Sequence, residues 1–169
     1  MDVVVTGSHG LIGTALVGAL AAAGHRPLRL VRGDTMGADE IAWDAEAGTI
    51  DAVRLEGVDA VVHLAGAGIG DQRWTAERKR VVLESRTQGT TLLARTLAEL
   101  SQKPAVLVSA SAVGYYGDRG DEVLTEESSA GDGFLADACR AWEDATEPAA
   151  DAGIRVARVR SGVVLAQDG

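Results

Sequence analysis

Between a β-branched run at Val3 to Thr6 and an Ala-rich apolar stretch from Leu11 to Ala23 lies Thr6-Gly7-Ser8-His9-Gly10-Leu11-Ile12-Gly13, with three glycines at GxxGxxG spacing. This arrangement demands a strand, a tight turn and then a helix, which closes on Gly24. Gly7 permits the turn, Gly10 lets backbone come close to a pyrophosphate, and Gly13 lets the helix pack on the strand. The N–H groups of Leu11 and Ile12 would then face an anion, helped by the helix dipole, with Ser8 and His9 lining the same turn. The alternative is a glycine-rich βα turn that holds no ligand.

The rest of the chain repeats the alternation. Leu28 to Val31 reads as a second strand, Glu40 to Asp44 as a short third, and Ala60 to Leu64 as the next, introduced by Gly57-Val58-Asp59. From Thr75 to Leu100 an apolar pattern with Gly89 inside it predicts one long helix or two in series. Ala105 to Val108 is a further buried strand. A glycine-rich polar loop follows from Gly114 to Gly133, of a length usually reserved for function. A helix from about Phe134 should end or kink at Pro148, which cannot donate to the helical ladder. Ile154 to Val159 closes the series, with Gly162 to Leu165 extending or following it. Strands alternating with helices mean βαβ units in a parallel, doubly wound α/β sheet, the Rossmann architecture, here as one domain over residues 1–169. Aromatics are only 4% of a chain that is 46% hydrophobic, so its core must be aliphatic, as suits a buried parallel sheet.

A formal net charge of −9 argues against binding along a nucleic-acid backbone, which needs a basic face. No apolar run approaches the roughly 18 to 20 residues of a membrane span, and no signal peptide stands before the first strand. The single cysteine, Cys139, cannot form an internal disulfide, and His9, His25 and His63 lie far apart without ligand spacing. The expectation is a cytoplasmic, metal-free protein with a small-molecule substrate and neither nucleic acid nor membrane as partner. Assembly as a homo-oligomer stays open.

The end of the second strand discriminates between nucleotides. An acidic residue there would accept from a ribose 2′-OH, as NAD requires. This chain has Arg32, whose planar fork suits a 2′-phosphate and favours NADP(H). Asp34 is the rival in a shifted register, and a solvated surface arginine is the plain alternative.

With that turn, Val61-Val62-His63-Leu64-Ala65-Gly66 and Val108-Ser109-Ala110-Ser111-Ala112-Val113-Gly114-Tyr115-Tyr116-Gly117-Asp118 make the chain resemble the extended short-chain dehydrogenases/reductases. Gln72-Arg73-Trp74, Ser85-Arg86-Thr87, Phe134-Leu135-Ala136 and Cys139-Arg140-Ala141-Trp142-Glu143 carry a narrower likeness, to the atypical epimerase-like family of unsettled reaction (NAD-dependent epimerase/dehydratase type). The resemblance implies that Leu64, Ala65 and Gly66 pass beneath the nicotinamide ribose and that Trp43 and Asp44 lie toward the adenine end. Close packing after a strand, a core aromatic and a turn cap are the respective alternatives. It also implies that the substrate-binding C-terminal part, entered at Arg160 to Gly169, is absent from this chain.

The resemblance breaks at the proton donor. Active members use a Ser or Thr to hold the substrate oxygen, a Tyr to transfer the proton and a Lys four residues on to lower the tyrosine's pKa. Ser111 matches the serine. Registered on Glu143, the tyrosine position is Leu135 and the lysine position Cys139, neither of which can do that work. Tyr115 and Tyr116 are the nearest phenols and candidates to replace the missing acid, with structural packing as the alternative. Arg86 stands where the superfamily commonly has asparagine. It would lie beside the nicotinamide and hold a carboxylate or phosphate, or else be a salt-bridged helix residue. Two readings follow: an NADP(H)-dependent oxidoreductase or epimerase with a nonstandard proton donor, or a protein that holds NADP(H) without turnover.

Overall fold

The computed structural model describes residues 1–33, 35–70 and 72–166. One seven-stranded sheet forms in the order β4-β3-β2-β1-β5-β6-β7. Its strands are β1 (Asp2–Thr6), β2 (Arg26–Arg32), β3 (Glu40–Asp44), β4 (Thr49–Ile50), β5 (Ala60–His63), β6 (Val106–Ala112) and β7 (Arg155–Ser161). All neighbours pair in parallel except β3 and β4. Chain order reverses at β1, so the crevice of a doubly wound sheet opens beyond the carboxyl ends of β1 and β5.

Among the described residues, four α-helices flank the sheet: α1 (Leu11–Ala22), α2 (Ala76–Glu99), α3 (Phe134–Asp144) and α4 (Glu147–Asp151). Val4, Ile41, Val61 and Leu107 of the sheet bury against Leu93, Leu97 and Ala149 of α2 and α4. Alternation along β1 sends Val3 and Val5 to the opposite face, beneath α1. Among the described residues, no helix is long and apolar enough to cross a membrane.

The long helix is single. Gly89 lies within it because the Trp43 indole packs there: a Cβ on Gly89 would come within 3.2 Å of Trp43 Cη2. Other expectations need correction. The two-residue β4 was missed; it returns antiparallel after a turn whose Glu46 and Ala47 N–H groups both donate to Asp44 Oδ1. Strand β6 continues past Val108 to Ala112, so Ser109 and Ser111 are strand residues whose side chains turn to the buried face. Pro148 does not end α3. That helix stops at Asp144, and Pro148 occupies the first turn of α4, where a missing N–H leaves no helical bond unmade. Val163 and Leu165 lie outside any strand and are exposed.

Candidate functional site

The glycine turn lies at the carboxyl end of β1. Gly7 has φ +63 and sits so close to the next strand's exit that a Cβ would fall 2.8 Å from the Leu64 carbonyl carbon. Gly13 packs on the turn itself rather than on the strand, since a Cβ there would lie 2.2 Å from Gly7 O. The Gly10 N–H donates to Gly7 O at 3.0 Å, and Thr14 N–H makes the first helical bond, to Gly10 O at 2.8 Å. The N–H groups of Leu11, Ile12 and Gly13 therefore open α1 without a backbone acceptor among the described residues, and Gly10 supplies no side-chain cap. Ser8 is buried, and its Oγ has no hydrogen-bond partner among the described residues. Such an orphaned hydroxyl beside three free N–H groups forms an anion cradle. His9 stands exposed on the same turn.

Arg32 ends β2 opposite Trp43 and is exposed, with no partner among the described residues. Its rival Asp34 lies outside the described residues. Trp43 is buried edge-on to His63, with ring centroids 6.1 Å apart. Trp43 is part of the core, and Asp44, which caps the following turn, is exposed.

The loop after β5 is held from three sides. Leu64 and Ala65 N–H groups donate to Thr6 Oγ1 at 2.9 and 3.0 Å. Ala67 N–H donates to Ser85 Oγ at 3.1 Å, and Arg86 Nη1 donates to Ala67 O at 3.0 Å. Because Thr6 Oγ1 accepts twice, its single proton must go to His63 Nδ1, 2.8 Å away. His63 is therefore the Nε2–H tautomer, and donates to Thr90 Oγ1 at 2.9 Å. Full burial pushes its pKa down to about 4. A neutral histidine braces the loop bearing Leu64, Ala65 and Gly66.

Arg86 also donates from Nη1 to Val82 O at 3.0 Å and stacks 4.9 Å from the Trp142 ring centroid. No carboxylate among the described residues pairs with it, so the salt-bridged alternative is not what forms. Burial lowers its pKa.

Ser111, Tyr115 and Tyr116 do come together, but around other groups. Ser111 is 4% exposed and donates from Oγ to Glu143 Oε1 at 2.6 Å. Arg160 grips both oxygens of Glu143 at 2.8 Å and donates from Nη1 to the Tyr116 hydroxyl at 3.0 Å. Its guanidinium also lies 3.4 Å from the centroid of Tyr115. The expected constellation of a substrate-facing serine with a free phenol is thus replaced, in this arrangement, by a network that ties α3 to β6 and β7. Leu135, at the tyrosine position, is 43% exposed in the first turn of α3, and Cys139 is buried. Burial pushes the Cys139 thiol up, away from the reactive thiolate.

Sequence reasoning missed a cleft of about 620 Å³ lined by Trp74, Lys79, Gly114, Phe134 and Leu135. Trp74 and Phe134 meet edge to face at 5.7 Å. The available signal was an aromatic in a polar segment of a chain with few aromatics.

Fold and turn together define an α/β protein of the doubly wound, NAD(P)-binding class. Residues 3–137 match the NAD dependent epimerase/dehydratase family, and the chain belongs to it. It is 46% identical over 167 residues to epimerase family protein Mb2239 of Mycobacterium bovis, covering 99% of this chain and 55% of that protein. The nucleoside-diphosphate sugar epimerase crystal structure from Corynebacterium glutamicum superposes with TM-score 0.87 at 45% identity, covering 100% of this chain and 35% of that one. Human epimerase family protein SDR39U1 (isoform 2), crystallised with NADPH, superposes with TM-score 0.86 at 36% identity, covering 100% of this chain and 56% of that one. The chain thus spans about half the length of the curated relatives it matches.

Proposed function

We propose that this chain is the NADP(H)-binding part of an oxidoreductase- or epimerase-like cytoplasmic protein that lacks the Tyr-x-x-x-Lys dyad and acts on a small molecule. The observation that carries the reading is the anion cradle of Ser8 and the Leu11, Ile12 and Gly13 N–H groups, with Arg32 unpartnered among the described residues at the end of β2. These residues fit a dinucleotide. The cradle would take the pyrophosphate, Arg32 the 2′-phosphate, and the Leu64 to Gly66 loop would support the nicotinamide ribose. Bound NADP(H) would supply hydride transfer. The human relative crystallised with NADPH supports the choice of nucleotide.

Calorimetry tests this reading. A charge-assisted hydrogen bond contributes on the order of 1.5 to 3 kcal/mol, so NADPH should bind roughly tenfold or more tightly than NADH. Arg32→Ala should remove the preference. Equal affinities, or a preference that survives Arg32→Ala, would refute it.

The second reading, a protein that holds NADP(H) without turnover, is favoured by the engagement of Ser111 with Glu143 and of Tyr116 with Arg160. It predicts bound nicotinamide that never changes redox state.

A further inference from the structure

Arg86 has a divided guanidinium. Its Nη1 donates to Ala67 O and Val82 O, each at 3.0 Å. Nε and Nη2, which share the other edge of the fork, have no acceptor among the described residues, yet neither is among the buried polar atoms left without a partner. That edge is therefore open to solvent or ligand. The two backbone carbonyls and the Trp142 ring fix the group from behind, so the side-chain entropy of aiming it is already spent. A half-buried cation held rigidly without a countercharge is costly unless something completes it. The side-on pair Nε–H and Nη2–H matches the two oxygens of a carboxylate.

Its surroundings indicate the rest of the ligand. A Cβ on Gly66 would lie 3.5 Å from the Arg86 guanidinium carbon, which puts the cation against the loop after β5. A Cβ on Gly114 would lie 3.4 Å from Leu135 Cβ and 3.7 Å from Cys139 Sγ, so Gly114 joins the cleft wall to the Cys139 side of α3. Trp142, on which the Arg86 guanidinium lies, is three residues on from Cys139 in α3, so the cation sits beside that same helix. Lys79 lines the cleft seven residues before Arg86 on α2, two turns along the same helix face. Trp74, Phe134 and Leu135 give the cleft an apolar wall, with Trp74 45% exposed and Leu135 43%, and Lys79, Asp118 and Asp132 are its charged lining.

We infer that the substrate is an organic acid with an apolar or aromatic body: its carboxylate on the Nε/Nη2 edge of Arg86, its body in the Trp74–Phe134–Leu135 cleft. The inference rests on the reading that the cofactor site opens at this edge of the sheet. It names the substrate class that reading left blank.

Benzoate and its neutral analogue benzyl alcohol provide the test, titrated calorimetrically into the full chain with and without NADPH. Benzoate should bind at least tenfold more tightly than benzyl alcohol. Arg86→Gln should abolish that difference, and Arg86→Lys, which keeps the charge but not the fork, should reduce benzoate affinity at least fivefold. Trp74→Ala, at an exposed position, should weaken both compounds alike. Equal binding of the two compounds, a preference that survives Arg86→Gln, or Arg86-dependent binding of inorganic phosphate but not benzoate would overturn the inference. A separate NADPH titration read by nicotinamide fluorescence tests the cofactor reading. Its failure would leave the benzoate titration without NADPH still decisive.

Discussion

The Ser111 hydroxyl lies 2.6 Å from Glu143 Oε1 and donates to it, on a carboxylate that Arg160 already holds with two bonds. Burial pushes the Glu143 carboxyl up, but the Arg160 and Ser111 hydrogen bonds outweigh it and hold the group below its ordinary value. Strand β6, helix α3 and strand β7 each contribute one member, so the triad staples three elements. Ser111→Ala should lower stability by about 1.5 to 3 kcal/mol, as expected for a hydrogen bond to a charged group. Glu143→Gln should cost more, about 3 to 5 kcal/mol, because it strands Arg160. Urea denaturation measures both. A Ser111→Ala variant of native stability but impaired turnover would return the serine to chemistry.

Gly10 and Gly13 should fail differently. A Cβ on Gly13 would collide with the Gly7 carbonyl at 2.2 Å, so Gly13→Ala must move backbone. On Gly10, at φ −78, a Cβ meets only Gly7 O at 3.3 Å. Gly13→Ala should therefore lower both thermal stability and NADPH affinity, the affinity by roughly a hundredfold, or about 2.7 kcal/mol. Gly10→Ala should weaken NADPH at least tenfold while shifting the melting temperature little. Thermal unfolding and fluorescence titration of both variants check this, and parallel losses of stability would contradict it.

Features set by neighbours in the chain were legible. The βα turn and most strands follow from local patterning, which one sequence displays in full. Strand β4 has two residues and no period to detect. Beyond Val108, the Ser-Ala alternation of β6 carries no hydrophobic signal, although the strand runs on to Ala112. The site's electrostatics lay deeper still. Ser111 and Glu143 are 32 residues apart and Glu143 and Arg160 are 17, so only the βαβ crossover brings them together. Without it, Ser111 reads as a free hydroxyl, and the sequence leaves Arg86 open between a ligand-holding cation and a salt-bridged helix residue.

Helix α1 is apolar on every side, yet Gly13 is its only buried residue, and Leu11 and Ile12 are 48% and 44% exposed. A helix of that composition is ordinarily enclosed. On the same side of the sheet, Val62, Val108 and Ala157 align across β5, β6 and β7, and next to them Val159 is 48% exposed. Residues 1–169 expressed alone should therefore bind a hydrophobic dye such as ANS and self-associate, with little or no turnover. A protein of its relatives' full length should bind much less dye. Equal dye binding by the two would show that this face stays open.

His63 gives the protein an acid limit with a defined window. Its pKa, pushed down to about 4 by burial, lies below the unfolded value of 6.5, so between those two pH values the unfolded chain binds more protons than the folded one. Stability is thus fully present above pH 6.5 and falls as pH drops toward 4. Relative to pH 7.5, the loss should reach about 2 kcal/mol at pH 5 and about 3 kcal/mol at pH 4. Glu143 also loses its contribution on acidification, but its pKa is held below 4.5, so that loss begins lower. The two are separable by substitution. In His63→Gln the amide oxygen can accept from Thr6 and the amide N–H can donate to Thr90, and nothing there titrates. The variant should lose some stability at pH 7.5 through poorer packing against Trp43, yet its stability should be nearly flat from pH 6.5 to 5. Urea unfolding at pH 7.5, 6.5 and 5 reads this directly, and a wild-type slope in His63→Gln would place the acid sensitivity on another group.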